Sequence, residues 1–408
     1  MPRRLPQAIA TGIERLGAET PAFVYDLDYC HERLARLQTA LPFASIYYAV
    51  KANPLLPILR FMASVGVGAE VASIGELRTA IMAGFRPERI VFGGPAKSPS
   101  DVDEAISLGI RAVHCESILE LEYALSRRMN LSSTLIVGRV NPEVGLRTTI
   151  ENMSGGPSRF GIDVEELISW KDNNRSLWSQ VDGLHLYQAS QVRMWSQIRM
   201  TVETLDDMAS QLFDEAPRYL NYGGGFGIPL ALEQPELDLD SLGRWWWQQP
   251  ASSSSAERAL ELGRYIIGPT GHLLTTVIRT KSSRGHVYIM TDGGINVFIR
   301  PKLTGEQHHV EVLRTSPAEC ERRSDVIITG PLCTPIDEIA TSDIHVNGGD
   351  LVVIHDAGAY GPTLSPQFFL GHPTPTEWVV EDGRLRQVRR RRIMTEYCKD
   401  GLVDDVDQ

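Results

Sequence analysis

Between Ala22 and Gly268, short apolar runs alternate with amphipathic segments whose apolar residues recur every three or four positions. Runs of the first kind suit strands buried on both faces, and segments of the second kind suit helices that lay one stripe on a core. Their alternation therefore predicts successive βα units around a parallel barrel or sheet. Strands are expected at 46–50, 68–72, 89–92, 112–115, 134–140, 181–186 and 218–221, with another beginning near Ala259. Helices are expected between them at 55–65, 75–83, 99–108 and 116–126. The count approaches the eight strands of a TIM barrel. After Gly268 the pattern changes to β-branched runs broken by Gly and Pro, at 274–280, 286–290, 325–329 and 351–354. Strands without intervening helices predict a second, all-β domain. The expected fold class is thus α/β: a (β/α)8 barrel over 23–268, and a β-sandwich or β-barrel formed by 1–22 plus 269–408.

Three surface features interrupt this pattern. Ser252-Ser253-Ser254-Ser255 reads as a flexible insertion before the strand near Ala259. Trp245-Trp246-Trp247 is expected to pack a helix, at least in part, against the barrel. Arg389-Arg390-Arg391-Arg392 lacks interleaved aromatics and is expected to form the alternating solvent face of a C-terminal strand. No repeat of solenoid length is present.

The 408 residues carry 40 Lys and Arg against 51 Asp and Glu, a net charge of -11, which argues against a sequence-independent grip on nucleic acid or anionic lipid. The basic start Met1-Pro2-Arg3-Arg4 is followed by Glu14, Arg15 and Glu19 rather than an apolar core, so no secretory leader is expected. No apolar run reaches membrane-spanning length. The cysteines at 30, 115, 320, 333 and 398 are scattered and lack CxxC spacing, which disfavours a disulfide framework and a zinc site and leaves no metal expected. A reducing cytoplasm is the expected location.

Candidate chemistry begins at Tyr47-Tyr48-Ala49-Val50-Lys51-Ala52-Asn53-Pro54, which sets one lysine at the end of an apolar strand, where barrel enzymes keep catalytic groups. By position alone such a lysine could equally reach out to solvent. Asn221-Tyr222-Gly223-Gly224-Gly225-Phe226-Gly227 also follows an expected strand, and a glycine run lets backbone amides approach a phosphate with no Cβ in the way.

Together these motifs resemble the fold-type III pyridoxal-phosphate decarboxylases, the family of ornithine and diaminopimelate decarboxylases, and the resemblance runs in order from about Phe23 to beyond Phe369. It implies that Lys51 holds pyridoxal 5'-phosphate as a Schiff base and that Gly223, Gly224 and Gly225 bind its phosphate. Ser190, in His185-Leu186-Tyr187-Gln188-Ala189-Ser190, and Tyr360, in Gly358-Ala359-Tyr360-Gly361, match further phosphate contacts. His185 matches the imidazole that stacks on the cofactor ring. Many relatives have a second histidine and a glycine where this chain has Tyr187 and Ala189. Glu261-Leu262-Gly263-Arg264 resembles the family's Glu-Pro-Gly-Arg, with Leu262 replacing proline. Glu261 is then expected to face the pyridine nitrogen, where a carboxylate favours the protonated ring that draws electrons. That favours decarboxylation over the racemisation of alanine racemases, which resemble a design with arginine at this place. Arg264 is expected at the phosphate and substrate end. Cys333, in Gly330-Pro331-Leu332-Cys333-Thr334-Pro335-Ile336-Asp337, matches a cysteine that reaches the neighbouring subunit's site and helps return a proton to the carbon that lost its carboxylate. A homodimer with shared sites follows from that resemblance.

Two positions depart from the family's best-known members. Thr334 stands where ornithine and diaminopimelate decarboxylases have an acidic residue for the distal ammonium of the substrate. In Arg300-Pro301-Lys302-Leu303-Thr304, Thr304 replaces a substrate-facing tyrosine, while Arg300 remains to hold a carboxylate. A buried ammonium without its carboxylate is costly. The expected substrate is therefore an amino acid whose distal end is masked or tethered, either linked to a carrier protein or within a siderophore intermediate. The alternatives are a diaminopimelate decarboxylase of lysine synthesis and a catalytically inactive homologue that acts by binding a partner.

Overall fold

The computed structural model describes residues 5–128, 133–146, 153–249, 256–313 and 323–400. The serine run at 252–255 lies outside the described residues. The chain divides into two compact units, one of Glu32–Ile228 with Pro235–Ile266, the other of Met1–His31, Pro229–Gln234 and Ile267–Gln408. Among the described residues no helix is long and apolar enough to cross a membrane.

The first unit is a closed barrel of eight parallel strands: β1 (Ala44–Ala49), β2 (Gly68–Val71), β3 (Ile90–Phe92), β4 (Ala112–Cys115), β5 (Leu135–Asn141), β6 (Gly183–His185), β7 (Tyr219–Gly224) and β8 (Glu257–Leu262). The neighbours run β4-β3-β2-β1-β8-β7-β6-β5, and β5 pairs back onto β4. Strand residues are buried almost throughout, as both faces of a barrel require. Tyr47, Val91, Ala112, Leu135, Val137, Tyr219 and Ala259, all fully buried, form one cluster drawn from strands around the ring. Gly68 makes room for it, because a Cβ there would sit 2.4 Å from the Tyr47 ring.

The helices that follow the strands begin where side chains can satisfy their first amides. Ser73 and Ser117 each accept from the backbone amide of the glutamate three residues on. Those glutamates, Glu76 and Glu120, reach back to the amides of Ala72 and Glu116 at 2.8 and 2.9 Å. The pattern Ser-x-x-Glu-Leu thus recurs as the same turn after β2 and after β4, short of a solenoid repeat. The helix Leu239–Trp247 behaves as expected: Trp246 is fully buried against Phe43 and Tyr222, whereas Trp247 is 69% exposed.

The second unit holds a nine-stranded mixed sheet, together with short helices such as Gln7–Thr11 and Ile13–Gly17. Strand Ala22–Asp26 belongs to this unit, although the sequence pattern started the barrel at 23. It pairs antiparallel with Gly271–Ser283 and parallel with Thr376–Glu381. Five apolar or buried residues followed by a helix read locally as a βα unit, and only partners such as Leu274 and Thr376, far along the chain, reveal the other assignment. Ala22 and Val24 share a core with Ile9, Leu16, Leu274, Val353, Trp378 and Val380. The strand Arg384–Arg389 also corrects the expectation for the arginine run, since its alternation stops at Arg389. Arg389 pairs with Glu377 at 2.5 Å, Arg390 pairs with Glu396 at 3.1 Å, and Arg391 donates to the carbonyl of Thr20.

Candidate active site

At the C-terminal end of β1 the chain turns through one 3-10 turn, Val50–Ala52. Asn53 braces that turn: its side chain accepts from the amide of Leu55 at 3.1 Å, and its carbonyl accepts from the Tyr48 hydroxyl at 3.0 Å. Lys51 Nζ is thereby brought within 3.0 Å of both carboxylate oxygens of Glu70, on β2. The Glu70 side chain is 4% exposed, against 45% for Lys51. Burial pushes the Glu70 carboxyl up to about 7; Lys51 pulls against that shift, and the negative charge of Glu261 adds to it.

Glu261, on β8, is the centre of a second cluster. Its Oε1 accepts from Asn221 Nδ2 at 2.9 Å and lies 3.3 Å from His114 Nδ1, while its Oε2 lies 3.5 Å from His185 Nε2. The two imidazoles come from β4 and β6 and stack at 4.5 Å with 26° between their planes. Burial alone would raise the Glu261 carboxyl, but His185 and His114 outweigh it and hold it well below the usual carboxylate range. His185 is pushed down to about 4, chiefly by burial, against the pull of Glu261, and so it is a neutral ring near pH 7. Asn221 ties this cluster to the glycine loop, since its Oδ1 accepts from the Gly223 amide at 2.9 Å.

The glycine loop is built without room for side chains. Gly223 and Gly225 have φ of 62° and 78°, and Cβ atoms there would lie 2.6 Å from Leu186 O and 1.9 Å from Ala189 O. Gly224 is equally tight against the carbonyl of Glu261, at 1.7 Å. Ser190 borders the same loop, and its hydroxyl shares a 2.9 Å hydrogen bond with that of Tyr187. Arg264 is buried at the start of the helix Arg264–Ile267 that directly follows β8.

The barrel therefore gathers Lys51, His185, Ser190, Gly223, Gly224, Gly225, Glu261 and Arg264 at the C-terminal ends of its strands or just beyond. Sequence reasoning missed Glu70, His114 and Asn221 as members of the site. Each is a polar residue within a strand that is otherwise apolar, which was the available signal. It also missed a buried pair at the same end of β5 and β4: Arg139 reaches Glu116 at 2.6 Å, and Glu116 accepts from the amide of Gly161 at 2.8 Å. Burial opposes ionisation of Glu116, yet Arg139 and that amide hold it below its ordinary range.

Arg300, Cys333, Thr334 and Tyr360 belong to the second unit. Arg300 is buried, its guanidinium 5.1 Å over the Tyr360 ring and its Nε 3.3 Å from Glu306. A role for Arg300 in holding a substrate carboxylate thus has to accommodate Glu306. Thr304 donates to the Arg300 carbonyl at 3.0 Å and to Glu306 at 2.9 Å. Cys333 is exposed and Thr334 partly so. Asp337 is turned inward, accepting from the amides of Ile295 and Leu332, both at 2.7 Å.

These residues fit a flat phosphorylated ring. The ring nitrogens of His114 and His185 are fully buried and have no well-directed hydrogen bond from the described residues. An anionic carboxylate lies beside them, an amine stands beside Glu70, and an amide loop admits close approach of a phosphate. The chain's likeness to known proteins agrees with that fit. Residues 27–268 match the family described as pyridoxal-dependent decarboxylase, pyridoxal binding domain. The chain is 32% identical to the L-glutamyl-[BtrI acyl-carrier protein] decarboxylase of Niallia circulans, covering 95% of this chain and 93% of that one. It is 31% identical to the diaminopimelate decarboxylase of Aquifex aeolicus, covering 91% and 89%. The crystal structure of diaminopimelate decarboxylase from Helicobacter pylori, complexed with L-lysine, superposes with a TM-score of 0.83 at 26% identity, covering 96% of this chain and 100% of that one.

Proposed function

We propose, from the premise that this chain belongs to the pyridoxal-dependent decarboxylases, that it removes carbon dioxide from an L-amino acid whose distal end is masked or tethered. Pyridoxal phosphate is its cofactor, and amino-acid decarboxylation is its reaction class. The finer reading rests on the loop after Gly330. Thr334 follows Cys333, and the two acids next along the chain are committed elsewhere, Asp337 to backbone amides and Glu338 to Lys302 at 2.8 Å. Both side chains thus already have partners, and leaving a substrate ammonium without one would be costly. Similarity to a decarboxylase whose name specifies a carrier-protein-linked glutamyl group supports the same reading. A carrier protein or a siderophore intermediate would supply the tether.

In this scheme Lys51 would hold the cofactor covalently, His185 would lie against its ring and Glu261 face its nitrogen, and Gly223, Gly224, Gly225, Ser190 and Arg264 would hold its phosphate, with Tyr360 the further phosphate contact that the family resemblance implies. Bound there, the cofactor supplies a conjugated ring that takes up the electron pair left when carbon dioxide departs. Glu70 accepts a proton from Lys51 Nζ and frees the amine to act as a nucleophile. Arg300 orients a carboxylate of the substrate. Cys333, supplied by the partner subunit of a homodimer, donates the proton that replaces carbon dioxide.

A diaminopimelate decarboxylase is the second reading, favoured by retention of Arg300 and by similarity to enzymes of that name. Turnover of diaminopimelate, ornithine and lysine, compared with carrier-linked glutamate, separates the two. Carrier-linked glutamate is expected to be turned over far faster, and efficient turnover of free diaminopimelate would overturn the tethered reading.

A further inference from the structure

We infer that His114 is a positioning residue of the cofactor site: together with Asn221 it pins Oε1 of Glu261, so that Oε2 is the oxygen presented to the ring nitrogen of the cofactor. The inference rests on the placement of Glu261 at that nitrogen, proposed above.

The terminal torsion of a glutamate is broad, so a carboxylate held by a single donor can swing its plane and turn its free oxygen away from a ligand. Here two donors converge on one oxygen. Asn221 Nδ2 donates to Oε1 at 2.9 Å, and His114 Nδ1 stands 3.3 Å from it, a close polar contact rather than a well-directed hydrogen bond. Among the described residues, the contact given for Oε2 is His185 Nε2, at 3.5 Å. The unpinned oxygen is therefore the one toward His185, the ring expected to lie on the cofactor.

His114 is itself immobilised. It is fully buried at the end of β4, stacked on His185 on one side and 5.9 Å from the Tyr219 ring. Its carbonyl accepts from Lys97 Nζ at 2.8 Å, and Lys97 is in turn buried and paired with Glu120 at 2.8 Å. His114 thereby covers one face of His185. A buried ring that makes no well-directed hydrogen bond, yet stands 3.3 Å from the carboxylate expected beside the ring nitrogen, is placed to act on that carboxylate. Glu70 also bears on Glu261, since the two carboxylates repel.

The test uses the full chain, stripped of cofactor and reconstituted with pyridoxal phosphate labelled with nitrogen-15 in its ring. The nitrogen chemical shift, followed against pH, reports ring protonation without reference to turnover, and quenching of tryptophan fluorescence gives the cofactor dissociation constant. His114→Phe keeps a flat ring against His185 but removes the donor. In it the ring nitrogen should lose its proton at a pH lower by about one, a tenfold change in the protonation equilibrium, and the dissociation constant should rise. His114→Gln, which restores a donor, should return the titration toward that of the unaltered protein. A titration in His114→Phe identical to that of the unaltered protein overturns the inference. Should His114→Phe not fold, His114→Leu, which also lacks a donor, takes its place with the same two outcomes. Glu261→Gln separates the layers: if it too leaves the nitrogen unchanged, the placement of Glu261 fails, whereas a shift in Glu261→Gln alone condemns only the role of His114.

Discussion

Lys51 and Glu70 stand 19 positions apart in the chain and 3.0 Å apart in the barrel, and that contact gives the lysine a chemical environment its own motif does not describe. Glu70 is favoured in its protonated form by burial, with a carboxyl raised to about 7. A carboxyl raised in the folded state contributes its full stability below the unfolded value, and that contribution is lost as pH climbs through the folded one. The apoprotein should therefore melt at progressively lower temperature between roughly pH 4.5 and 7 because of this group. Glu70→Gln, which cannot ionise, should flatten that part of the profile in a pH series of thermal melts. The same substitution removes the proton acceptor beside Lys51, so turnover should fall by roughly 100-fold. An unchanged rate would mean that Lys51 loses its proton elsewhere. Neither Glu70 nor His114 carried a motif, because a single polar residue inside an apolar strand looks the same whether it is satisfied by the backbone or aimed into a site.

Among the elements, the turn after β7 shows what a local sequence can announce. Three consecutive glycines predicted a backbone with no tolerance for side chains, and the positive φ at Gly223 and Gly225 meets that expectation. Gly225→Ala would need a left-handed backbone and would drive a Cβ against Ala189 O. We expect it to cost about 1–3 kcal/mol of stability and to weaken cofactor binding by more than that loss accounts for, as measured by titrating pyridoxal phosphate into the apoprotein. Retained affinity would take the cofactor phosphate away from this loop. The caps at Ser73 and Ser117 were not read from the sequence, which started the second of these helices at 116, ahead of its cap, although capping is a local matter. The place of strand Ala22–Asp26 was not legible, because burial and length were right for either unit and its pairing partners lie far along the chain.

For the whole molecule, drawing Cys333 from a partner subunit, as proposed above, would make activity a property of the dimer. Lys51→Ala and Cys333→Ala proteins, each impaired alone, should regain about a quarter of normal activity when mixed and allowed to exchange subunits, since half the dimers are mixed and each of these carries one intact site. No recovery on demonstrated exchange would place both residues in the same subunit's site. By itself, the amino-acid sequence determined what short stretches can hold: the alternation of strands and helices, the lysine at a strand end, the glycines that a close turn demands, and the threonine that stands in place of an acid at position 334. Tertiary structure alone decided which charges meet. Closing eight parallel strands into a ring sets Glu70 against Lys51, and His114, His185 and Asn221 around Glu261. Periodicity records only which way a residue faces along its own strand; its neighbour across the barrel is chosen by the order and register in which the strands close.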